Sequence, residues 1–186
     1  MAPHIHILNG SSLQGSALWS IVAIVEEVFG APVSLRQVAF DLDLAYDSSR
    51  NQTNSTALLA QILNESNGSP GKRIAVVDVD LFIPILTFVF GEAQLSGSAA
   101  IVSTHRLANQ FYGLTRNDDL MIQRLQKEIV HELGHTFGLY HCHHHFECVM
   151  RASTYVEEID LKGIRPCSSC ADALIGVQLS SGKFPT

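Results

Sequence analysis

Apolar residues recur along the chain with two periods, and the switches between them mark out its elements. His4 to Leu8 alternates in steps of two, the pattern of a strand, and stops at the turn dipeptide Asn9-Gly10. That alternation puts His4 and His6 on the face opposite Ile5 and Ile7, where solvated imidazoles are expected. From Ser16 to about Phe29 the period lengthens. Leu18, Ile21, Val22, Val25 and Val28 form one stripe of a helix that Ser16 is placed to cap and Gly30-Ala31-Pro32 ends. Trp19 on this helix is expected to pack in or against the core. Val33 to Phe40 alternates as a second strand, Asp41 to Thr53 is a polar, turn-rich loop, and Ser55 to Asn64 is a second helix. Asn67 to Gly71 is a break. Arg73 to Val79 is β-branched and almost continuously apolar, as a strand covered on both faces is.

Phe88 to Ala93 and Ala99 to Ser103 are two further strands, linked by Gln94 to Ser98, and that link is too short for a parallel crossover. The longest helical pattern starts at Asn117 or Asp118, either placed to cap it, and runs through Phe137. Ile122, Leu125, Ile129, Leu133 and Phe137 mark its core stripe, with acids in the first turn where the helix dipole favours them. The alternation of strands and helices predicts an α/β layered fold with a mixed sheet. At 186 residues there is room for one domain with a small appended lobe.

The end of that last helix reads His131-Glu132-Leu133-Gly134-His135-Thr136-Phe137-Gly138-Leu139-Tyr140-His141. Histidines four apart share a helix face, so two imidazoles can reach one metal ion, while Glu132 stands beside that ion without ligating it. Gly138 can leave the helix through a left-handed conformation, which brings His141 back as a third ligand. Three protein ligands and one open position make a catalytic zinc site, and the spacing is the metzincin form of the zincin signature.

All four cysteines follow within the last 45 residues, as Cys142-x₅-Cys148 and Cys167-x₂-Cys170. Two close-spaced thiol pairs suit a closed four-sulfur zinc site of structural role; two disulfides or a redox Cys-x-x-Cys pair are the competing readings. Because His141 and Cys142 are neighbours, two such metals would lie on the order of 10 Å apart, with the second anchoring the third ligand of the first. His143, His144 and His145 are open to three readings: a solvated loop, groups behind the ligands, or alternative ligands.

Composition narrows the partners. The net charge is -6 with no basic run, which disfavours nucleic acid and anionic membranes. Arg151, Lys162 and Arg165 beside the cysteines are offset by Glu157, Glu158 and Asp160, so a zinc ribbon for nucleic acid is also disfavoured. No apolar run is long enough to span a bilayer, and Met1-Ala2-Pro3-His4 lacks the features of a secretory signal. A cytoplasmic, monomeric protein is therefore expected, and the five Asn-x-Ser/Thr sites carry no meaning there.

Together these motifs resemble the archaemetzincins, a metzincin-like group of zinc proteases. The resemblance rests on His131, Glu132, His135, Gly138, Cys142, Cys148-Val149-Met150 and Cys167-Ser168-Ser169-Cys170, and on Asp78 to Phe82 and Phe88 to Ala93 before them. It covers roughly Tyr46 to Cys170. It implies a zincin-like fold in which a mixed twisted sheet packs on helices that include the long metal-binding helix. Residues 1–138 would hold the sheet and active-site helix, and residues 139–186 a small zinc-stabilised C-terminal subdomain. It further implies two zinc ions: a catalytic one on His131, His135 and His141 with Glu132 as general base, and a structural one on the four cysteines. Met150 would form the Met-turn. Phe88, Val89, Phe90, Gly91, Glu92 and Ala93 would be the sheet edge along which a peptide or protein substrate pairs. Two spacings depart from the family: five residues in place of four between the first cysteines, and sixteen in place of seventeen between Met150 and Cys167. They cancel, a one-residue shift within the loop of histidines. The reading from another class is a catalytically silent, zinc-stabilised peptide- or protein-binding module.

Overall fold

The structure is a computed structural model that describes residues 3–65 and 70–181. Asn67 to Ser69 of the predicted Asn67 to Gly71 break and the opening Met1-Ala2 lie outside the described residues. In chain order the elements are β1 (Ile5–Asn9), α1 (Ser16–Phe29), β2 (Val33–Gln37), β3 (Tyr46–Asp47), β4 (Gln52–Asn54), α2 (Ser55–Asn64), β5 (Lys72–Val77), β6 (Leu81–Phe82), β7 (Gly91–Ala93), β8 (Ala99–Ser103), α3 (Asp118–Thr136), α4 (Val156–Leu161) and α5 (Ser168–Ser181).

Five strands form one sheet in the order β2-β1-β5-β8-β7. The first four are parallel, and β7 runs antiparallel to β8, with Gly91 opposite Val102 and Ala93 opposite Ala100. The sheet is mixed for the reason its link predicts: a hairpin-length connection can only reverse the chain. A second ribbon, β3-β4-β6, lies apart.

Alternation along the strands sorts the core into two layers. Ile5, Ile7, Ile74, Val76, Ala100 and Val102 share one apolar cluster with α1 and α3. Leu8, Ala75, Val77, Ala99 and Ile101 point the other way and pack with Leu58, Leu59 and Ile62 of α2. Helices therefore cover both faces, which is why Ile74 to Val77 of β5 and Ala99 to Val102 of β8 are apolar without a break. The first cluster also takes in Leu139, Val149, Met150, Val156 and Ile159, so segments on both sides of residue 138 share one core.

The two central caps follow the rules for such positions. Asn54 accepts from Ala57 N at 3.2 Å and Asn117 from Leu120 N at 3.0 Å, each worth about 1 kcal/mol. Several expectations fail in instructive ways. Ser16 does not cap α1: Gly15 stands at the N-cap with φ 59 and no side-chain bond is made. Trp19 is 65% exposed, because the stripe turned to the sheet is already filled by Leu18, Ile21, Val22, Val25 and Phe29. His6 is half-buried rather than solvated, with Ser34 Oγ 2.8 Å from Nδ1. The strand expected over Phe88 to Ala93 is only Gly91–Ala93, with a single bridge from Val89 to Leu81 before it. Among the described residues no helix is long and apolar enough to cross a membrane.

Candidate metal centre

Helix α3 carries its buried stripe, Leu125, Ile129 and Leu133, against the sheet, and this presents the neighbouring face with His131, Glu132 and His135 to a cleft. Phe137 and Gly138 then end the helix. Gly138 adopts φ 88, a left-handed conformation that other residues rarely enter. The chain doubles back there, with Leu139 N bonded to Gly134 O at 3.0 Å, and delivers His141 to the same point as the helical histidines. One nitrogen from each of His131, His135 and His141 lies within 4.8 Å of the others. His143, His144 and His145 are exposed and stay outside this group.

Hydrogen bonding settles which imidazole atoms face inward. His131 donates from Nδ1 to the Val149 carbonyl at 2.8 Å, and His135 from Nδ1 to the Leu139 carbonyl at 2.7 Å. A carbonyl can only accept, so both rings carry their proton on Nδ1 and point an Nε2 lone pair inward. The two Nε2 atoms are 3.1 Å apart. Two lone pairs at that distance repel unless a cation lies between them, and tetrahedral zinc with N ligands wants an N···N edge of about 3.3 Å. The donor set fits zinc. Burial, Lys162 and the neighbouring imidazoles hold His131 well below the usual histidine range, and burial also lowers His135 and His141. The neutral, ligating form is therefore the resting one.

Glu132 is 6% exposed, and burial, with a further push from Glu128, raises its pKa well above the usual carboxylate range; Lys162 acts in the opposite sense. Gly91 of β7 presses on it. A Cβ built at Gly91 would stand 2.7 Å from Ile101 O, 2.8 Å from Glu132 Cγ and 2.9 Å from Glu132 Oε1. Only glycine lets the sheet edge and the carboxylate come this close. Below the helix, Met150 is fully buried against Gly134, and Cys142 N donates to Met150 O at 2.9 Å.

The cleft has a volume of about 380 Å³. It is lined by the three histidines and Glu132 on one side, Phe88 to Ala93 on the other, and Glu128, Ser153 and Thr154 at one end. The free side of β7 borders it. Phe88 and Val89 form a rim rather than a strand, held from outside. Arg106 stacks on Phe88 (4.1 Å) and Phe111 (4.6 Å) and pairs with Asp80 at 2.6 and 2.8 Å. Arg50 bonds to the carbonyls of Leu86 and Thr87. Burial pushes the Asp80 carboxyl up, but its bonds from Arg106 and Gln52 outweigh that and hold it below its ordinary value.

The second group consists of Cys142, Cys148, Cys167 and Cys170, whose sulfurs lie within 4.8 Å of one another as free thiols. Cys142 Sγ and Cys167 Sγ are 3.8 Å apart, close to the edge of a tetrahedron with Zn–S bonds of about 2.3 Å and far outside disulfide length. Backbone N–H groups of His144 and His145 and the neighbouring thiols overcome burial and bring the Cys142 thiol down to about 7.

Of the motif residues, the three histidines, Glu132 and Phe88 to Ala93 line the cleft, the four cysteines form the second group, and Met150 lies outside both, against Gly134. What the motifs did not reveal are the buried Glu128 and Lys162 and the steric role of Gly91, for which a glycine inside a strand was the available signal.

Residues 56–175 match the profile of peptidase family M54. The chain is 37% identical over 157 residues to the archaemetzincin of Methanocaldococcus jannaschii, covering 83% of this chain and 85% of that protein. Among solved structures, the archaemetzincin of Methanopyrus kandleri superposes with a TM-score of 0.82 at 30% identity, over 94% of both chains. A zinc-dependent peptidase from Methanocorpusculum labreanum does so at 0.81 and 31%, over 91% of this chain and 99% of that one. Metal-site geometry, fold and likeness agree, and the chain belongs to peptidase family M54, the archaemetzincins.

Proposed function

We propose that His131, His135 and His141 hold the catalytic zinc ion of this chain and that Glu132 is its general base. Membership of the family makes the protein a zinc-dependent metallopeptidase. The observation that carries the residue assignment is the convergence of three imidazoles, two with outward-facing Nδ1 protons, beside a buried carboxylate in an open cleft. Bound there, zinc supplies Lewis acidity to a peptide carbonyl and makes water a stronger acid. The chain's own residues do the rest. The carbonyls of Val149 and Leu139 keep two ligands in one tautomer and orientation. Glu132 takes a proton from the attacking water on its carboxylate and passes it to the departing amine nitrogen. Gly91–Ala93, free on one side, pairs an extended peptide, and Phe88, Val89 and Phe90 wall the cleft beside it.

A second, structural zinc belongs on Cys142, Cys148, Cys167 and Cys170, below a loop that also positions Met150. Four reduced thiols suit a reducing, cytoplasmic setting, and the protein acts as a monomer on peptide or protein substrates, not on nucleic acid or membranes. Residues 139–186 supply the third histidine, Met150 and the cysteine site as one C-terminal unit.

Peptide hydrolysis by wild type and by Glu132→Ala at matched zinc content tests the base. A loss of kcat of at least about 100-fold with zinc retained is expected. Equal rates refute the assignment of Glu132.

A further inference from the structure

Lys162 is the largest of the fully buried side chains among the described residues. Lysine is almost never buried without a partner. Its Nζ lies 2.8 Å from Glu128 Oε1, the two side chains 0% and 4% exposed, as an ion contact not aligned for a hydrogen bond. It also donates to the Arg151 carbonyl at 3.2 Å.

The two partners belong to different parts of the metal centre. Glu128 is on α3, one turn before His131 and Glu132, and lines the same cleft. Arg151 follows Met150, and Val149, two residues earlier, supplies the carbonyl that orients His131. Lys162 itself stands at the end of α4. It thus ties the metal-bearing helix to the loop beneath it from a third element.

Attachment of α4 does not require this pair. Arg124 on α3 makes a two-pronged bond to Asp160 at 2.7 Å on each arm, and Lys127 reaches the carbonyls of Ile159 and Asp160. Those contacts lie further out. A buried ion pair is costly to desolvate and is often matched in stability by apolar residues of similar volume. Stability alone therefore does not account for the pair, and its contacts point to a geometric role beside its electrostatic one.

We propose that Lys162 is a positioning residue of the metal centre, its ammonium fixing the spacing between α3 at Glu128 and the Val149–Arg151 turn of the loop that orients His131 and carries Met150. This rests on the histidine assignment above. Among the described residues the direct partners of the Lys162 ammonium are Glu128 and the Arg151 carbonyl, so beyond the effect of its charge it bears on His131 through the loop that carries the Val149 carbonyl.

Cobalt(II) titration of the metal-free protein separates the two ideas. The cysteine site is read from thiolate charge transfer in the near ultraviolet, and the histidine site from the visible bands that remain once those of the tetrathiolate cobalt are subtracted. His131→Ala must abolish the visible bands of the histidine site; if they survive, the metal assignment itself falls. Lys162→Met leaves Glu128 as a buried unpaired carboxylate and is expected to lower thermal stability. The double variant Glu128→Leu/Lys162→Met removes both charges and should recover it. The double variant, which leaves the net charge near the site unchanged, is expected to bind cobalt at the histidines about 10–100-fold more weakly, with shifted visible bands and unchanged thiolate charge transfer. A double variant that melts like wild type and binds cobalt at the histidines with wild-type affinity and spectrum overturns the positioning role.

Discussion

Gly134 and Met150 meet where the metal-bearing helix crosses the loop below it: a Cβ on Gly134 would stand 2.5 Å from Met150 Sδ. Gly134 sits between His131 and His135, so the height of the helix above the loop is set directly beneath those two histidines. The metal centre is built by contact between two segments, neither of which holds all three histidines.

Replacing Gly134 by alanine therefore has two opposing effects. Helix propensity gains about 1 kcal/mol, while crowding a packed contact costs about 1–3 kcal/mol. Crowding wins because Met150 is fully buried with no free side to move into. A net loss near 1 kcal/mol with weaker zinc retention is expected from chemical denaturation and metal analysis. Gly176→Ala on α5, where an added methyl meets nothing within 4 Å, should instead gain a few tenths to 1 kcal/mol.

At the opposite wall, Gly91→Ala would drive a methyl into Ile101 O and the Glu132 side chain. Backbone oxygen cannot yield as a side-chain tip can. Displacement of the edge strand and carboxylate should lower kcat/KM by about 10–100-fold, about 1–3 kcal/mol, with zinc content unchanged. Wild-type kinetics in this variant would show that the contact has no bearing on turnover.

The cysteine site is one peptide bond from His141, and Cys142 N is bonded to Met150 O. Cys167→Ser/Cys170→Ser leaves every histidine ligand in place but releases the loop that presents the third. Competition with a chelator should show faster zinc loss from the histidine site in a protein that still folds. Unchanged loss kinetics would mean that the two sites are independent.

Asp80 and Arg106 give a pH signature. The folded-state pKa of Asp80 is held below its ordinary 3.8 by Arg106 and Gln52 against the effect of burial. A depressed carboxylate pKa contributes stability that is complete above the unfolded pKa and disappears as pH falls through the folded one. Asp80→Asn should thus lose about 1–3 kcal/mol at pH 7, the pair being mostly shielded from solvent. The gap to wild type should close in acid, below about pH 4. Thermal melts from pH 7 to pH 3 measure it, and a constant gap would contradict the ion pair as its source. Because Arg106 also stacks on Phe88, the variant should raise KM as the cleft rim loosens.

Local periodicity carried much of the outcome. α2 occupies the predicted residues, and α3 carries its predicted stripe with Leu125, Ile129 and Leu133 fully buried. His131, Glu132 and His135 could be read as one face because helical geometry depends only on separation along the chain. Gly138 was legible for the same reason, while the cysteine pairs left disulfides and a redox pair open until the four free thiols were seen to converge.

What remained hidden depends on contacts between distant segments. Trp19 has a helix-compatible place yet faces solvent, since only packing decides which side of a full stripe is left over. Phe88 and Val89 have strand character but lie in a rim set by Arg106, Asp80 and Arg50. Lys162 looks like any surface lysine in the sequence; its burial against Glu128 follows from how α4 folds back on α3. By itself the sequence determined the histidine and cysteine spacings and the helix that carries His131 and His135. Only the tertiary structure decided which way the rings face, how close Gly91 and Gly134 come to the site and which charges lie beneath it, because those are set by packing across the sheet and loop.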